Sequence, residues 1–539
     1  VQYRQKNKDA VACLHQARTI DYRRLYSKLG ELDKTDFALI KIGFINLYDS
    51  KVYSARKKFS PPSLAGSRES PEGEQNKLLL AHKYNSEISP VKTSTVAAGI
   101  LSNMPTEERN FVVEGGSTLS GSIVTNRSKN GAVALLAASL LNRGVTTLQK
   151  VPKIEEVNRL IEVLRSIGVT AEWSDRDLIL TPPEKIDLDS IDKAAATRTR
   201  SILMFIGPLL HHFNSFSIPQ SGGCNFGTRT VRPHLWALEK FGVTIESLTD
   251  RYAVSHTKLS PATIVMQESS DTATENALFA AARIPGTTVI KYASANYQVQ
   301  EVCGFLQSLG VQIEGIGSTT LTITGVSEIH RDVKYTVAED PTDAMFFLAA
   351  AIVTKSSLTI KNAPIEFLEI ELSVLEKMNL NYSVTDAGIS ENGITKLADI
   401  HVEPSSLVAY PERIHARPYP GLNIDNLPFF AVIATQAEGT TLIHDWTFEK
   451  RAIYYTELDR LGAETVLMDP HRIQIIGPSH LRGAEIVCPP ALRPATILLI
   501  GMLAAEGRSI LRNVYSINRG YEDLVHRLES IGAHVEGMN

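Results

Sequence analysis

From Phe111 onward the apolar and polar positions fall into a phrase that returns six times: a small-residue turn, a short strand, a loop, an amphipathic helix ending near glycine, and another strand. It first reads NRGVTTLQKVPKIEEVNRLIEVLRSIGVTAEW, and it closes as AEGRSILRNVYSINRGYEDLVHRLESIGAHVEG. With Gly144, Ser215, Gly286, Ser357, Gly439 and Gly507 as markers, the spacing stays near about 70 residues, apart from one longer interval before Gly439. In IEEVNRLIEVLRSIG the apolar residues recur at three and four, so the helix has one buried stripe.

A second apolar segment accompanies each repeat: NGAVALLAASLL, SILMFIGPLL, ENALFAAA, DAMFFLAAAIV, DNLPFFAVIAT and ATILLIGMLAA. These predict a more deeply buried helix per unit. One unit is too short to cover both helices and its strands, so the copies must pack on one another. Six units imply two lobes of three, each a bundle of helices enclosed by strands and outer helices. The fold class is α/β.

Residues 1–110 do not share this pattern. A helix is expected around Asp9 to Leu29 and a strand over FALIKIGFINLY, followed by a Pro-, Gly- and Ser-rich linker from Ser60 to Gln75. This is an appended module. Its basic bias leaves open an RNA or protein contact, with a solvated small domain as the plainer reading.

At 539 residues the chain can hold several domains, and 43% hydrophobic with 21% charged residues is a globular composition. A net charge of -4 argues against nucleic acid as a bulk partner. Cys13, Cys224, Cys303 and Cys488 lack disulfide-framework or metal-type spacing, which fits free thiols in a reducing compartment. No apolar run approaches the roughly 18 to 20 residues of a membrane span, and the first residues do not read as a signal peptide. A cytoplasmic location is expected.

The candidate chemistry centres on SGGCNFGTRTVRPH, from Ser221 to His234. Arg229 and Arg232 would stabilise the thiolate of Cys224 and could hold an anion beside it. A glycine-rich turn with an incidental cysteine is the alternative. Other charged residues mark the starts of the apolar helices: Lys129 and Asn130, Arg200, and Asp425. Helix starts favour anions, because unpaired N–H groups and the helix dipole point there. Arg451, Arg493 and Arg519 occupy matching places in later repeats. Each alone reads as a surface ion pair; together they suggest a strongly cationic cleft between lobes.

At these residues the chain resembles the enolpyruvyl transferases, most strongly the UDP-N-acetylglucosamine 1-carboxyvinyltransferase branch. The similarity is carried by SKNGAVALLAASLL, VPKIEEVNRLIEVLRSIGV, RSILMFIGPLL, GGCNFGTR, FEKRAIYYTELDRLGAE and INRGYEDLVHRLESIGA, and covers about residues 111–539. It implies a two-lobed inside-out α/β barrel of six repeats. The first lobe would comprise 111–128 plus 338–539, and the second 129–337, with closure on ligand. It also implies transfer of the enolpyruvyl group of phosphoenolpyruvate to a hydroxyl, with release of phosphate and without metal or cofactor. By this resemblance Cys224 protonates or captures phosphoenolpyruvate, and Asp425 is the carboxylate nearest the acceptor hydroxyl. Lys129, Arg200, Arg229, Arg451, Arg493 and Arg519 hold its anionic groups or the intermediate, and Asn130 contacts the acceptor.

The departures from that branch concern the acceptor. Thr230, Val231 and Arg232 replace its uracil-reading Pro-Val-Asp, and Glu268 stands at the lysine of its diphosphate loop. Pro341 aligns with a substrate-binding arginine and Ala491 with a carboxylate. The leading expectation is therefore a nucleotide-type acceptor, such as the nucleoside monophosphate UMP, with Arg232 supplying a new contact. UDP-N-acetylglucosamine as acceptor and a non-catalytic regulatory paralogue are the alternatives. Oligomeric state is left open.

Overall fold

A computed structural model describes residues 2–5 and 8–11 as backbone, and residues 110–220 and 230–538 in full. The chain divides into two compact units, Val1–Asn103 and Met104–Asn539. Of the first, the described residues form a hairpin in which Gln2–Gln5 pairs antiparallel with Lys8–Val11. The helix expected to begin at Asp9 thus starts inside a strand, where cross-strand bonds satisfy the backbone. The remainder of that helix, the FALIKIGFINLY strand and the Ser60–Gln75 linker lie outside the described residues.

The described residues of the second unit form six sheets, five of them four-stranded. Most follow one plan, shown by residues 413–477. Arg413–His415 runs parallel to Gly439–His444, which pairs antiparallel with Arg472–Gly477, which in turn takes Glu464–Asp469. Among the described residues the sheet at Ser215–Pro219 has three strands and no parallel neighbour. The outer helices follow the predicted stripe: in Glu155–Ser166, Val157, Leu160, Ile161, Val163 and Leu164 are buried. The later ones are less regular than the sequence suggests. Arg451–Leu461 is a 3₁₀ helix entered through Lys450 at φ 64°, and the last breaks into Tyr515–Asn518 and Leu524–Glu529, with Asp523 at φ 49° between. Left-handed backbone cannot continue a right-handed helix.

The inner helices are covered on all sides. Every residue of Pro341–Val353 is buried, as are Gly131–Ala138 and Phe429–Ala434. Close approach requires glycine: a Cβ at Gly207 would lie 2.5 Å from the carbonyl oxygen of Asn276 on the neighbouring inner helix. The buried residues form two separate cores, one from Ala132 to Val337 and the other joining Phe111–Ile123 to Ala344–Val535. Strand Asn110–Gly115 lies between Gly507–Arg512 and His534–Met538, and Ser122–Val124 pairs with Leu358–Pro364. The start of the unit therefore completes sheets of its end.

The chain passes between cores twice, and the two passages are bonded to each other. Ser128 N donates to Ala338 O at 2.7 Å, and Asp340 N to Asn126 O at 2.8 Å. Arg127 and Glu339 form an ion pair at 2.7 Å. Among the described residues no helix is long and apolar enough to cross a membrane.

Candidate active site

Two inner helices are capped where they leave the crossing, and this brings their starts together. Ser128 accepts from Gly131 N at the head of Lys129–Ala138, and Asp340 accepts from Thr342 N at the head of Pro341–Val353. Asp340 also accepts from Lys129 N at 3.2 Å. Around these heads lies a cavity of about 580 Å³ whose walls include Lys129, Asn130, Arg200, Asp425, Arg451, Arg493 and Arg519.

Asp425 is a carboxylate held in its ionised form in this cavity. Arg493 Nη2 lies 3.2 Å from Asp425 Oδ2, and Asn130 Nδ2 lies 3.5 Å from the same oxygen while donating to the Tyr297 hydroxyl at 3.0 Å. Burial opposes the charge, but Arg493, Arg451 and Lys129 prevail and hold the carboxyl at about 2. Its loop is fixed from beneath. Glu371 Oε1 accepts from Asn423 N at 3.0 Å and from Asn426 Nδ2 at 2.8 Å, and Arg451 Nη2 donates to Ile424 O at 2.8 Å.

Arg451 and Arg519, like Arg493, have carboxylate partners. Arg451 is buried, with Nε 2.5 Å from Asp445 Oδ2, which also accepts from the Tyr455 hydroxyl at 2.5 Å. Arg519 Nη2 lies 2.5 Å from Glu156 Oε2, reaching from one core to a carboxylate of the other. Glu156 Oε1 accepts from the Thr199 hydroxyl. Burial would raise the Glu156 pKa, but Lys129 and Arg519 overcome it and leave it lowered. The expected strongly cationic cleft is thus largely compensated. Among the described wall residues Glu156, Glu268, Asp271, Asp425 and Glu449 face the cations. For Asp271, burial raises the pKa.

The described structure brings together Lys129, Asn130, Arg200, Asp425, Arg451, Arg493 and Arg519. Cys224 and Arg229 lie outside the described residues. Arg232 opens the helix Arg232–Glu239 with its side chain exposed, and it is not among the cavity-lining residues, because Pro233 and His234 turn inward instead. Arg200 Nη2 donates to Thr230 O at 2.8 Å, tying the predicted cation to the end of the Cys224 stretch. Glu268 does line the cavity, whereas Pro341 is a buried helix-start residue and Ala491 a buried N-cap.

Sequence reasoning missed Glu156, Asp445, Tyr297, Tyr521 and His234. The Arg519–Glu156 bond spans 363 positions, so only the fold could reveal it. Asp445 had a local signal, six residues before Arg451 and just after an apolar strand. His234 is buried, its Nδ1 3.2 Å from Asn276 Nδ2 and its Nε2 3.1 Å from Thr272 Oγ1. Burial first, and Arg200 second, hold it down at about 3, so it is neutral in the physiological range.

Comparison with known proteins agrees with this architecture. Residues 113–528 match the family model of EPSP synthase (3-phosphoshikimate 1-carboxyvinyltransferase). The UDP-N-acetylglucosamine 1-carboxyvinyltransferase of Bradyrhizobium diazoefficiens is 34% identical over 428 residues, 79% of this chain and 97% of that protein. The protein of the same name from Treponema denticola is 33% identical over 79% of this chain and 98% of its own length. Among solved structures, the enolpyruvyl transferase NikO from Streptomyces tendae superposes with a TM-score of 0.70 at 25% identity, over 80% of this chain and 99% of that one. EPSP synthase from Acinetobacter baumannii, at 16% identity and TM-score 0.61 over 79% of this chain and 99% of its own, shares the fold. The chain belongs to the EPSP synthase family of enolpyruvyl transferases, with its inside-out α/β architecture, and is a carboxyvinyl transferase.

Proposed function

We propose that this enzyme transfers the carboxyvinyl group of phosphoenolpyruvate to a hydroxyl of a nucleotide-type acceptor, a nucleoside monophosphate such as UMP, and releases phosphate. The observation that carries the acceptor reading is Glu268 in the cavity wall, where relatives of the UDP-sugar branch are expected to place a lysine. A carboxylate there repels a diphosphate. The 34% identity to UDP-N-acetylglucosamine 1-carboxyvinyltransferase supports that sugar nucleotide as the second reading.

In the proposed reaction an acid, assigned to Cys224 by resemblance, protonates C3 of phosphoenolpyruvate while the acceptor oxygen attacks C2. The hydroxyl proton passes to Asp425. Loss of a C3 proton then expels phosphate from C2 and restores the double bond. Lys129, Arg200, Arg451, Arg493 and Arg519 supply fixed charge for the substrate anions and the adduct, the kind of preorganisation that contributes most to such catalysis.

A carboxyl held at about 2 is a weak base. Arg493 offers the remedy, because it is shared. When a substrate anion engages Arg493, Asp425 loses its nearest counter-ion and its proton affinity rises. Substrate binding would thereby ready the base. Phosphate release from phosphoenolpyruvate with UMP, UDP-N-acetylglucosamine and other hydroxyl acceptors tests the function. Turnover with UMP and none with the sugar nucleotide is expected; the reverse selects the second reading, and no release with any acceptor overturns both.

A further inference from the structure

The repeats carry a backbone rule that one residue breaks. With Ser356 aligned to Gly144, Gly286 and Gly507, the sixth residue onward is left-handed in four of them: Lys150 at φ 56°, Tyr292 at φ 57°, Asn362 at φ 55° and Asn513 at φ 62°. Two of the four are asparagine, the non-glycine residue that tolerates this region best. Tyrosine tolerates it poorly. A bulky ring kept in a costly conformation marks a place where function has overridden local preference.

Tyr292 is 48% exposed and borders the cavity. Its flanks are tied to the segment carrying Glu268: Met266 N donates to Lys291 O at 3.0 Å, and Ser269 Oγ to Ala293 O at 3.3 Å. From the other core, Trp446 borders the same cavity and is also 48% exposed. Its indole N–H donates to Ala416 O at 2.9 Å, and it follows Asp445, which is locked to Arg451 and Tyr455. The indole is thus anchored at its N–H while the residue stays half exposed. Among the described residues three aromatic side chains count as exposed, Trp236, Tyr292 and Trp446, and two of them line this cavity.

We infer that Tyr292 and Trp446 select the acceptor, each offering a flat face to a planar heterocyclic ring, while Glu268 beside Tyr292 turns away a second phosphate. The inference deepens the nucleotide reading above and rests on it. The acceptor class so defined joins a planar base to a hydroxyl-bearing sugar and carries no diphosphate. Stacking on aromatic side chains is tolerant of base identity, so the pair selects for a base rather than for one particular base.

The test uses Tyr292→Asn, which installs the residue that two other repeats carry at this backbone angle, and Trp446→Leu, in the full chain. Titrations with UMP, ribose 5-phosphate and UDP are followed by tryptophan fluorescence and calorimetry, and KM and kcat are measured where turnover occurs. For the wild type, UMP should quench fluorescence and bind at least about tenfold more tightly than ribose 5-phosphate, which lacks the base. UDP should bind more weakly than UMP, and Glu268→Gln should narrow that gap. In Tyr292→Asn the acceptor KM should rise about tenfold with kcat and the phosphoenolpyruvate KM changed less than about threefold, while thermal stability holds or increases. Unchanged UMP affinity in both variants overturns the aromatic pair and leaves the nucleotide reading standing. UMP binding no tighter than ribose 5-phosphate overturns the base selection. Failure of every nucleotide to bind the folded wild type overturns the reading beneath both.

Discussion

Arg493 holds Asp425 with one arm and Tyr521 with the other: Nη2 is 3.2 Å from the carboxylate and Nη1 is 3.1 Å from the phenol oxygen. Burial works against both the carboxylate and the guanidinium, so each keeps its charge through the other. This pairing makes Asp425 poor at accepting a proton until Arg493 is drawn elsewhere.

Asp425→Asn should therefore lower kcat by roughly 10²- to 10⁴-fold, the usual range for a lost general base, with little change in the KM for phosphoenolpyruvate. Steady-state kinetics with the true acceptor checks it. Loss of less than about fivefold would make Asp425 a structural partner of Arg493 and nothing more.

Arg519 and Glu156 join the two cores. Removing the guanidinium in Arg519→Ala takes the ion-pair partner from the buried Glu156, leaving it Lys129 and Thr199, and should cost up to about 3 kcal/mol of stability. The double variant Arg519→Ala with Glu156→Gln should recover much of that stability yet remain inactive. Denaturant melts and kinetics separate the two effects; recovered activity in the double variant would remove Arg519 from substrate binding.

Glu371 underlies the Asp425 loop, and burial pushes its carboxyl up to about 7. Since the folded value lies above the ordinary 4.5, its contribution is complete below pH 4.5 and fades as pH rises through about 7. Glu371→Gln keeps an acceptor for Asn423 and Asn426 but cannot ionise. The melting temperature of the wild type should fall between pH 6 and pH 8 by more than that of the variant. Parallel curves would assign the pH dependence to other groups.

Cys303 and Cys488 are buried, and burial pushes both thiols up to about 12, which leaves them unreactive. Fosfomycin, an epoxide phosphonate, should accordingly label Cys224 and spare both, and phosphoenolpyruvate with acceptor should protect it. Peptide mass spectrometry decides: label on Cys303 or Cys488 at a comparable rate would reduce Cys224 to a turn residue.

Much of this protein was readable without coordinates, because its fold is periodic. The six repeats, the wholly apolar inner helices such as DAMFFLAAAIV and the striped outer helix IEEVNRLIEVLRSIG follow from residue spacing, since burial on one side or on all sides leaves different patterns. Lys129, Asn130, Arg200 and Asp425 could be singled out because charge at the head of an apolar helix is locally conspicuous, and Arg451, Arg493 and Arg519 by their matching places in later repeats. What those charges meet could not be. Glu156 and Arg519 are far apart in sequence, and Asp445 is one acidic residue among many until Arg451 and Tyr455 close on it. Among the described residues the cleft is less cationic than expected for this reason: counting cations is local, whereas pairing them depends on which segments the fold brings face to face. Backbone angle is equally hidden, and KYAS reads as an ordinary strand end. Only the tertiary structure shows Tyr292 left-handed at the cavity wall, because the bonds that hold Lys291 and Ala293 on either side of it come from Met266 and Ser269 of an earlier segment and not from the local sequence.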